Sequence, residues 1–105
     1  MLAIVSAMSE EINSVIQALS DVQVQEFGRR QFHTGRLHGV AVVAVFSRYG
    51  KVAAAATVTQ LLSAYPVTQV IFGGVAGGTR PGLAIGDIVV ATDLVQHDKI
   101  GRAHV

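Results

Sequence analysis

The sequence predicts an α/β fold with a central mixed sheet. Three observations lead to this prediction. First, short apolar runs of strand length alternate with two segments in which apolar residues recur with helical spacing. Second, apolar and polar residues alternate in the stretch between those two segments, as in a half-buried strand. Third, a glycine-rich turn follows a later apolar run. Apolar runs separated by helices favour parallel strands, whereas the period-two stretch favours antiparallel strands, so the sheet is expected to contain both.

The first two elements are a buried strand and an amphipathic helix. Leu2 to Ser6 is a short apolar run, which is typical of a strand covered on both faces. Ser9 is the predicted N-cap of the following helix, and Glu10 and Glu11 lie in its first turn, where the helix dipole favours anions. The helix is predicted to end at Asp21. Its apolar side chains recur with helical spacing at Ile12, Val15, Ile16 and Leu19.

The middle of the chain predicts a meander and a second helix. Period two from Val22 to Val45 indicates short antiparallel strands, and the apolar run Val40 to Phe46 belongs near the middle of the sheet. The Ala-rich stretch Lys51 to Ser63 predicts a helix, which Pro66 ends. One face of this helix is predicted to carry Val52, Ala55, Ala56, Thr59 and Leu62.

Two further strands are predicted in the last third of the chain. Gln69 to Phe72 reads as a buried strand, and the turn Gly73 to Gly78 follows it. After a loop that contains Pro81-Gly82, the run Asp87 to Leu94 predicts a final apolar strand.

Composition excludes several classes of protein. Half of the 105 residues are apolar, no cysteine is present and the formal net charge is +1. A disordered tail, a disulfide scaffold and a cysteine-ligated zinc module are therefore excluded. Basic residues are scattered and no apolar run has the length of a membrane span, so neither nucleic acid nor a membrane is expected as a partner. The sequence predicts a cytoplasmic protein.

The C-terminal tail has a different expected origin. Residues 100–105 correspond to the translation of a common sequencing adapter, and a Lys99 codon of AAG would supply the first two bases of that adapter. We therefore expect residues 1–98 to be the N-terminal part of a single domain and residues 99–105 to be a non-native tail. The codons at these positions would test the hypothesis.

Three loops at the carboxyl ends of predicted strands are candidates for a binding site: Ala7 to Glu11, Ser47 to Lys51 and Gly73 to Gly78. In open α/β sheets, ligands bind outside these strand ends. The glycine turn matches neither phosphate-binding fingerprint, because Val75 occupies the middle glycine position and no Gly-Lys-Ser/Thr follows. Either it binds a ligand through free backbone amides, or it is a tight strand exit that avoids side-chain clashes.

For the side chains of these loops, the sequence allows either a role at a ligand site or an ordinary structural role. Glu11 is placed to act as a general base on a bound water, although first-turn acids more commonly complement the helix dipole at the surface. Met8 and Tyr49 either line a ligand pocket or pack against the sheet. His33 and His38 lack metal-ligand spacing, so we expect no metal and no cofactor.

The sequence closely resembles the 5′-methylthioadenosine/S-adenosylhomocysteine nucleosidases, members of the nucleoside phosphorylase superfamily. Five segments carry the resemblance, and they follow one another in the order and at the spacing that the family shows. They are Ile4-Val5-Ser6-Ala7-Met8-Ser9-Glu10-Glu11, Gly50-Lys51-Val52-Ala53-Ala54-Ala55, Gly74-Val75-Ala76-Gly77-Gly78, Gly86-Asp87-Ile88-Val89-Val90 and His97-Asp98. The resemblance implies a three-layer αβα fold, of which residues 1–98 form less than half. It also implies hydrolysis of the glycosidic bond of a 5′-thioadenosine, methionine salvage and a homodimer.

The resemblance also implies roles for particular residues. Glu11 matches the base that orients water at the anomeric carbon. Ala76 and Gly77 match the backbone segment that packs against the substrate near the reacting water, and Val75, in the same substrate-binding segment, stands where several relatives carry a small polar residue. Met8 and Tyr49 match positions that line the ribose and alkylthio end of the substrate. Arg48 stands where the family often has Gly, and Tyr49 stands where it often has Ile. The purine-protonating acid, the ribose-binding acid and the adenine loop lie beyond residue 98 in the family, so the 105-residue chain by itself is expected to be inactive.

Two alternatives remain open at this stage. A nucleoside phosphorylase would use phosphate instead of water; the acid pair Glu10-Glu11 would repel that anion, whereas Arg48 would attract it. A non-catalytic nucleotide-binding α/β module would bind a nucleoside without turnover.

Overall fold

The computed structural model describes residues 1–96, in which five strands and two helices occur. In chain order these are β1 (Leu2–Ser6), α1 (Ser9–Ala18), β2 (Ser20–Phe27), β3 (Arg30–Leu37), β4 (Val40–Phe46), α2 (Lys51–Ala64) and β5 (Gln69–Gly73). All seven elements belong to the first of two compact units, Met1–Val75. The second unit begins at Ala76 and, as far as residue 96, consists of turns and irregular segments. The predicted non-native tail lies outside the described residues.

The strands form a single mixed sheet in the order β2-β3-β4-β1-β5. Strand β1 pairs in parallel with both β4 and β5, whereas β2, β3 and β4 form an antiparallel meander. The predictions of a mixed sheet, a meander and a central Val40–Phe46 strand are therefore confirmed. Ser6 lies opposite Phe46 on one side and Gly73 on the other. This register brings the carboxyl ends of the parallel strands to the same edge of the sheet.

The two helices cover opposite faces of the sheet and give it three layers. Alternate residues of a strand point to opposite faces, so β1 and β4 supply both sides of the core. One cluster combines strand residues with Leu61 of α2, and the other combines strand residues with Ile12 of α1. Their buried members are, respectively, Ala3, Val5, Phe32, Val43, Val45 and Leu61, and Ile12, Leu19, Val42 and Ala44.

The helices differ from prediction in their ends and in one face. Met8, not Ser9, is the N-cap of α1, with extended backbone and no side-chain capping bond. The helix ends at Ala18 instead of Asp21, because Leu19 takes extended backbone and Ser20 begins β2. In α2 the buried residues are Thr57 and Leu61, so the predicted face was wrong. The helix is apolar nearly all round, and helical period alone therefore does not select the side that meets the sheet.

The last two predicted strands were wrong in part. Strand β5 forms where it was predicted, but all five of its residues are exposed in the described residues, because it is an edge strand that pairs only with β1. Asp87 to Leu94 forms no strand, and Ile88 is 91% exposed. A strand requires a hydrogen-bonded neighbour, and none of the five strands in residues 1–96 pairs with this run. Neither described helix has the length and apolar character that a membrane span requires.

Candidate functional site

The carboxylate of Glu11 is held at the carboxyl ends of β1 and β5. The Ser6 hydroxyl donates a hydrogen bond to Glu11 Oε2, and the backbone N–H of Val75 donates to Glu11 Oε1 at 3.1 Å. The carbonyl oxygen of Gly73 lies 3.0 Å from the Ser6 hydroxyl. Both carboxylate oxygens are therefore tied to the sheet edge, which fixes the orientation of the group.

Local sequence explains why these groups meet. β1 ends at Ser6, and the two residues Ala7 and Met8 turn the chain into α1, whose third residue is Glu11. A side chain in the first turn of a helix points back towards the helix N-terminus, here towards the end of β1. Ser6 is only 3% exposed, so its hydroxyl needs a partner inside the protein, and the carboxylate provides one.

Gly74 allows the backbone to approach the carboxylate. A Cβ atom added to Gly74 would lie 3.3 Å from Glu11 Oε2 and 3.6 Å from Glu11 Oε1. A Cβ at Gly73 would meet nothing within 4 Å. The absence of a side chain therefore matters for the carboxylate at Gly74 and not at Gly73.

A cavity of about 290 Å³ opens beside this carboxylate. We call it the acid cavity; its lining consists of Ile4, Val5, Ser6, Glu11, Ile12, Val15, Gly73, Gly74 and Val75. Among residues 1–96, Glu11 is the only charged residue in that lining. A carboxylate oriented against apolar walls can accept a proton from a water molecule and direct its lone pair, which is the task of a general base.

Of the other predicted site residues in the first unit, Val75 lines the acid cavity, whereas Met8 and Tyr49 lie outside its lining. Met8 is 37% exposed as the N-cap of α1. Tyr49 is 70% exposed, and its ring packs edge-on against Phe46 with centroids 6.5 Å apart. Val75 lines the cavity and contributes its backbone N–H, while its side chain is 86% exposed.

Ala76 and Gly77 belong to the second compact unit. The prediction that their backbone lies near the reacting water stays a prediction.

Ser6 and Gly74 were not predicted to hold Glu11. A signal for Ser6 was available, because a polar residue ended an otherwise apolar strand just before the helix that carries the acid. The contact of Gly74 with the carboxylate depends on the pairing of β1 with β5, which residue spacing does not reveal.

Arg48 does not line the acid cavity. Its Nη2 donates to the carbonyl oxygen of Arg29 at 2.9 Å, and it lines a second cavity, beside the β2–β3 turn. No group of three or more potential metal ligands occurs among the described residues.

Comparisons with known proteins agree with this architecture. A family model described as the phosphorylase superfamily matches residues 1–105. The 5′-methylthioadenosine/S-adenosylhomocysteine nucleosidase of Chromohalobacter salexigens is 42% identical over 97 residues, which cover 92% of this chain and 41% of the relative. The aminodeoxyfutalosine nucleosidase of Helicobacter pylori strain J99 is 38% identical over 98 residues, covering 92% of this chain and 43% of the relative.

The fold of the chain also resembles that of a solved structure. It is that of a 5′-methylthioadenosine/S-adenosylhomocysteine nucleosidase from Colwellia psychrerythraea 34H in complex with adenine. It matches with a TM-score of 0.80 and 37% identity, over 82% of this chain and 36% of that chain. The chain thus spans about two fifths of the length of the curated relatives that it matches.

Proposed function

Since the chain belongs to the phosphorylase superfamily, we propose that the full-length protein is a nucleosidase. It hydrolyses the N-glycosidic bond of 5′-methylthioadenosine and S-adenosylhomocysteine, releasing adenine and the thioribose product. The names of the relatives support this substrate class. The observation that carries the proposal is the Glu11 carboxylate, bonded to the Ser6 hydroxyl and the Val75 N–H at the mouth of an apolar cavity.

In the proposed reaction, Glu11 takes a proton from water as the water oxygen attacks the anomeric carbon. The bond from that carbon to the purine nitrogen breaks, and its electron pair leaves with the purine, which needs a proton of its own. Positive charge develops on the sugar in the transition state, as in glycoside hydrolysis, so a nearby carboxylate is stabilising there. The proposal assigns no residue in positions 1–98 to the protonation of the purine.

The other site residues keep the roles that the resemblance implies. Met8 and Tyr49 lie beside the ribose and alkylthio end of the substrate, where apolar side chains favour a thioether over a charged 5′-phosphate. The backbone of Val75, Ala76 and Gly77 flanks the reacting water. Residues 1–98 form the N-terminal part of one phosphorylase-like domain. The enzyme acts in the cytoplasm as a homodimer, in methionine salvage and the removal of S-adenosylhomocysteine.

Hydrolysis is favoured over phosphorolysis because of the charge in the acid cavity. A phosphate would have to lie against the Glu11 carboxylate in a cavity to whose lining residues 1–96 contribute no basic side chain. Two negative groups in contact repel each other, and the repulsion is stronger inside a protein than in water. Arg48, the residue that kept the phosphorylase alternative open, lines the other cavity.

Adenine release by the purified full-length protein tests the proposal. We expect release from 5′-methylthioadenosine in phosphate-free buffer, at a rate that added phosphate does not raise. Release that requires phosphate would instead identify a phosphorylase. Tight binding of a substrate analogue without any release would identify a binding module.

A further inference from the structure

A second cavity, of about 340 Å³, lies between α1 and the turn that joins β2 to β3. We call it the arginine cavity; it is lined by Ser9, Ile12, Asn13, Ile16, Glu26, Arg29, Arg30, Gln31, His33, Phe46 and Arg48. It shares only Ile12 with the acid cavity. The proposed reaction uses none of its polar side chains.

The guanidinium groups of Arg29, Arg30 and Arg48 line this cavity, and within the described residues those of Arg30 and Arg48 donate to backbone carbonyls. Arg30 donates to Ser47 at 3.4 Å and to Gly28 at 3.1 Å, and Arg48 donates to Arg29. A guanidinium has five N–H donors, so each of these side chains retains donors beyond its recorded bonds. Within the part of the chain that the structure describes, Glu26 is the only acid in the lining, so the three arginines leave an excess of positive charge there.

One imidazole nitrogen in the lining is unpartnered. Nδ1 of His33 is buried and has no hydrogen-bond partner within the described residues. Buried polar atoms are nearly always bonded, and this unpartnered atom belongs to a residue that lines the arginine cavity. In the tautomer that carries the hydrogen on Nδ1, this imidazole can donate a hydrogen bond to an oxyanion.

Two of the arginines occupy backbone that disfavours side chains. Arg29 has φ of 63° and Arg48 has φ of 70°, in the left-handed region that glycine populates most easily. Non-glycine residues in this region concentrate at functional sites. Both residues line the arginine cavity.

From these observations we infer that the arginine cavity binds a small organic oxyanion, a phosphate or carboxylate attached to an apolar body. The guanidinium groups and His33 would bind the oxyanion, since arginine forms paired hydrogen bonds with phosphate and carboxylate groups alike. The side chains of Ile12, Ile16 and Phe46 would contact the apolar body. The site is separate from the acid cavity and does not depend on the proposed hydrolysis.

Calorimetric titration of the full-length protein with three probes tests the inference. Phenyl phosphate and benzoate carry the two possible oxyanions, and benzyl alcohol is a neutral ligand of similar size. We expect saturable binding of at least one anion and none of the alcohol. Binding of phenyl phosphate alone would identify a phosphate site, and binding of benzoate alone a carboxylate site. No saturable binding of either anion, or equal binding of the alcohol, would overturn the inference.

Arg29→Gly and Arg48→Gly are the test variants, because glycine removes the charge and accepts the left-handed backbone. Each is expected to weaken anion binding about tenfold or more, the loss of one charge-assisted hydrogen bond. Arg36→Ala is the matched control: this exposed arginine of β3 bonds to the Gly39 carbonyl and lies outside the cavity lining. Unchanged binding in both glycine variants, or equal weakening in the control, would contradict the assignment.

Discussion

The acid cavity and the arginine cavity lie along two adjacent faces of helix α1, and they differ in charge and in how that charge is held. In the first, the Glu11 carboxylate is tied by hydrogen bonds to the ends of two parallel strands. In the second, Arg29 and Arg48 have left-handed backbone, and the Arg48 guanidinium donates to the backbone carbonyl of Arg29. The buried Ile12 side chain lines both. One short helix therefore separates a negative site from a positive one.

This separation bears on the proposed chemistry. A carboxylate paired with a guanidinium is less basic and less able to take a proton from water. Neither Arg29, Arg30 nor Arg48 lines the acid cavity, so the hydrogen-bond partners of Glu11 are neutral groups. Neutral donors orient the carboxylate without cancelling its charge.

The largest expected effect comes from removing the negative charge of the acid cavity. Glu11→Gln in the full-length enzyme is expected to lower the rate of adenine release by about 10²- to 10⁴-fold, the usual contribution of a general base. Binding of a substrate analogue should persist, because the amide occupies nearly the same space. Turnover and calorimetric binding measure the two quantities.

Glu10→Gln is the matched control for that substitution. Glu10 lies in the same helical turn, but its side chain is exposed and does not line the acid cavity. The Glu10→Gln variant should release adenine at a rate close to that of the unmodified enzyme. Equal losses in the two variants would mean that first-turn charge, not a base, supports the activity.

A smaller effect is expected from crowding the carboxylate. Gly74→Ala places a methyl group 3.3 Å from Glu11 Oε2, so the carboxylate or the strand end must shift by a few tenths of an ångström. Because catalysis is sensitive to such displacements, we expect kcat/KM to fall roughly tenfold.

Crystal structures of Gly74→Ala and Gly73→Ala provide the comparison. The methyl group of Gly73→Ala meets no atom of the chain within 4 Å, so the Glu11 side chain should keep its position in that variant. If the carboxylate stays in place in Gly74→Ala as well, the close approach is not what positions it.

Loss of the serine that orients the carboxylate should cost less. Ser6→Ala removes the hydroxyl bonded to Glu11 and leaves the Val75 bond, so we expect a rate loss of up to about tenfold and a stability loss of about 1 kcal/mol. Ser63→Ala, at an exposed position of α2, is the control for stability in urea unfolding. A change confined to stability, with the rate intact, would assign Ser6 a structural role only.

The smallest expected effect concerns the arginine cavity and is a gain in stability. Arg48→Gly relieves left-handed backbone and is expected to raise the free energy of unfolding by about 0.5 kcal/mol, the balance of strain relief and glycine entropy. Arg36→Gly, within strand β3, should instead lower it by a similar amount. Urea unfolding of both variants measures the difference. A loss of stability in both would mean that the turn at Arg48 is not strained.

Much of the fold could be predicted from local pattern. The mixed sheet, the meander and the centrality of β4 followed from the period and apolarity of each segment. The Asp87–Leu94 strand failed because an apolar run becomes a strand only beside a partner. The face of α2 failed because an Ala-rich helix presents similar side chains in every direction.

The sequence by itself determined the elements, the loops at the strand ends and the candidacy of Glu11, because these depend on neighbours a few residues away. Tertiary structure alone decided what surrounds the carboxylate. The partners of Ser6 and Glu11 on the glycine turn are more than sixty residues distant in the chain, and the register of β1 with β5 brings them together. The same holds for the arginines, since only the β2–β3 turn and the end of β4 together place them on one cavity wall.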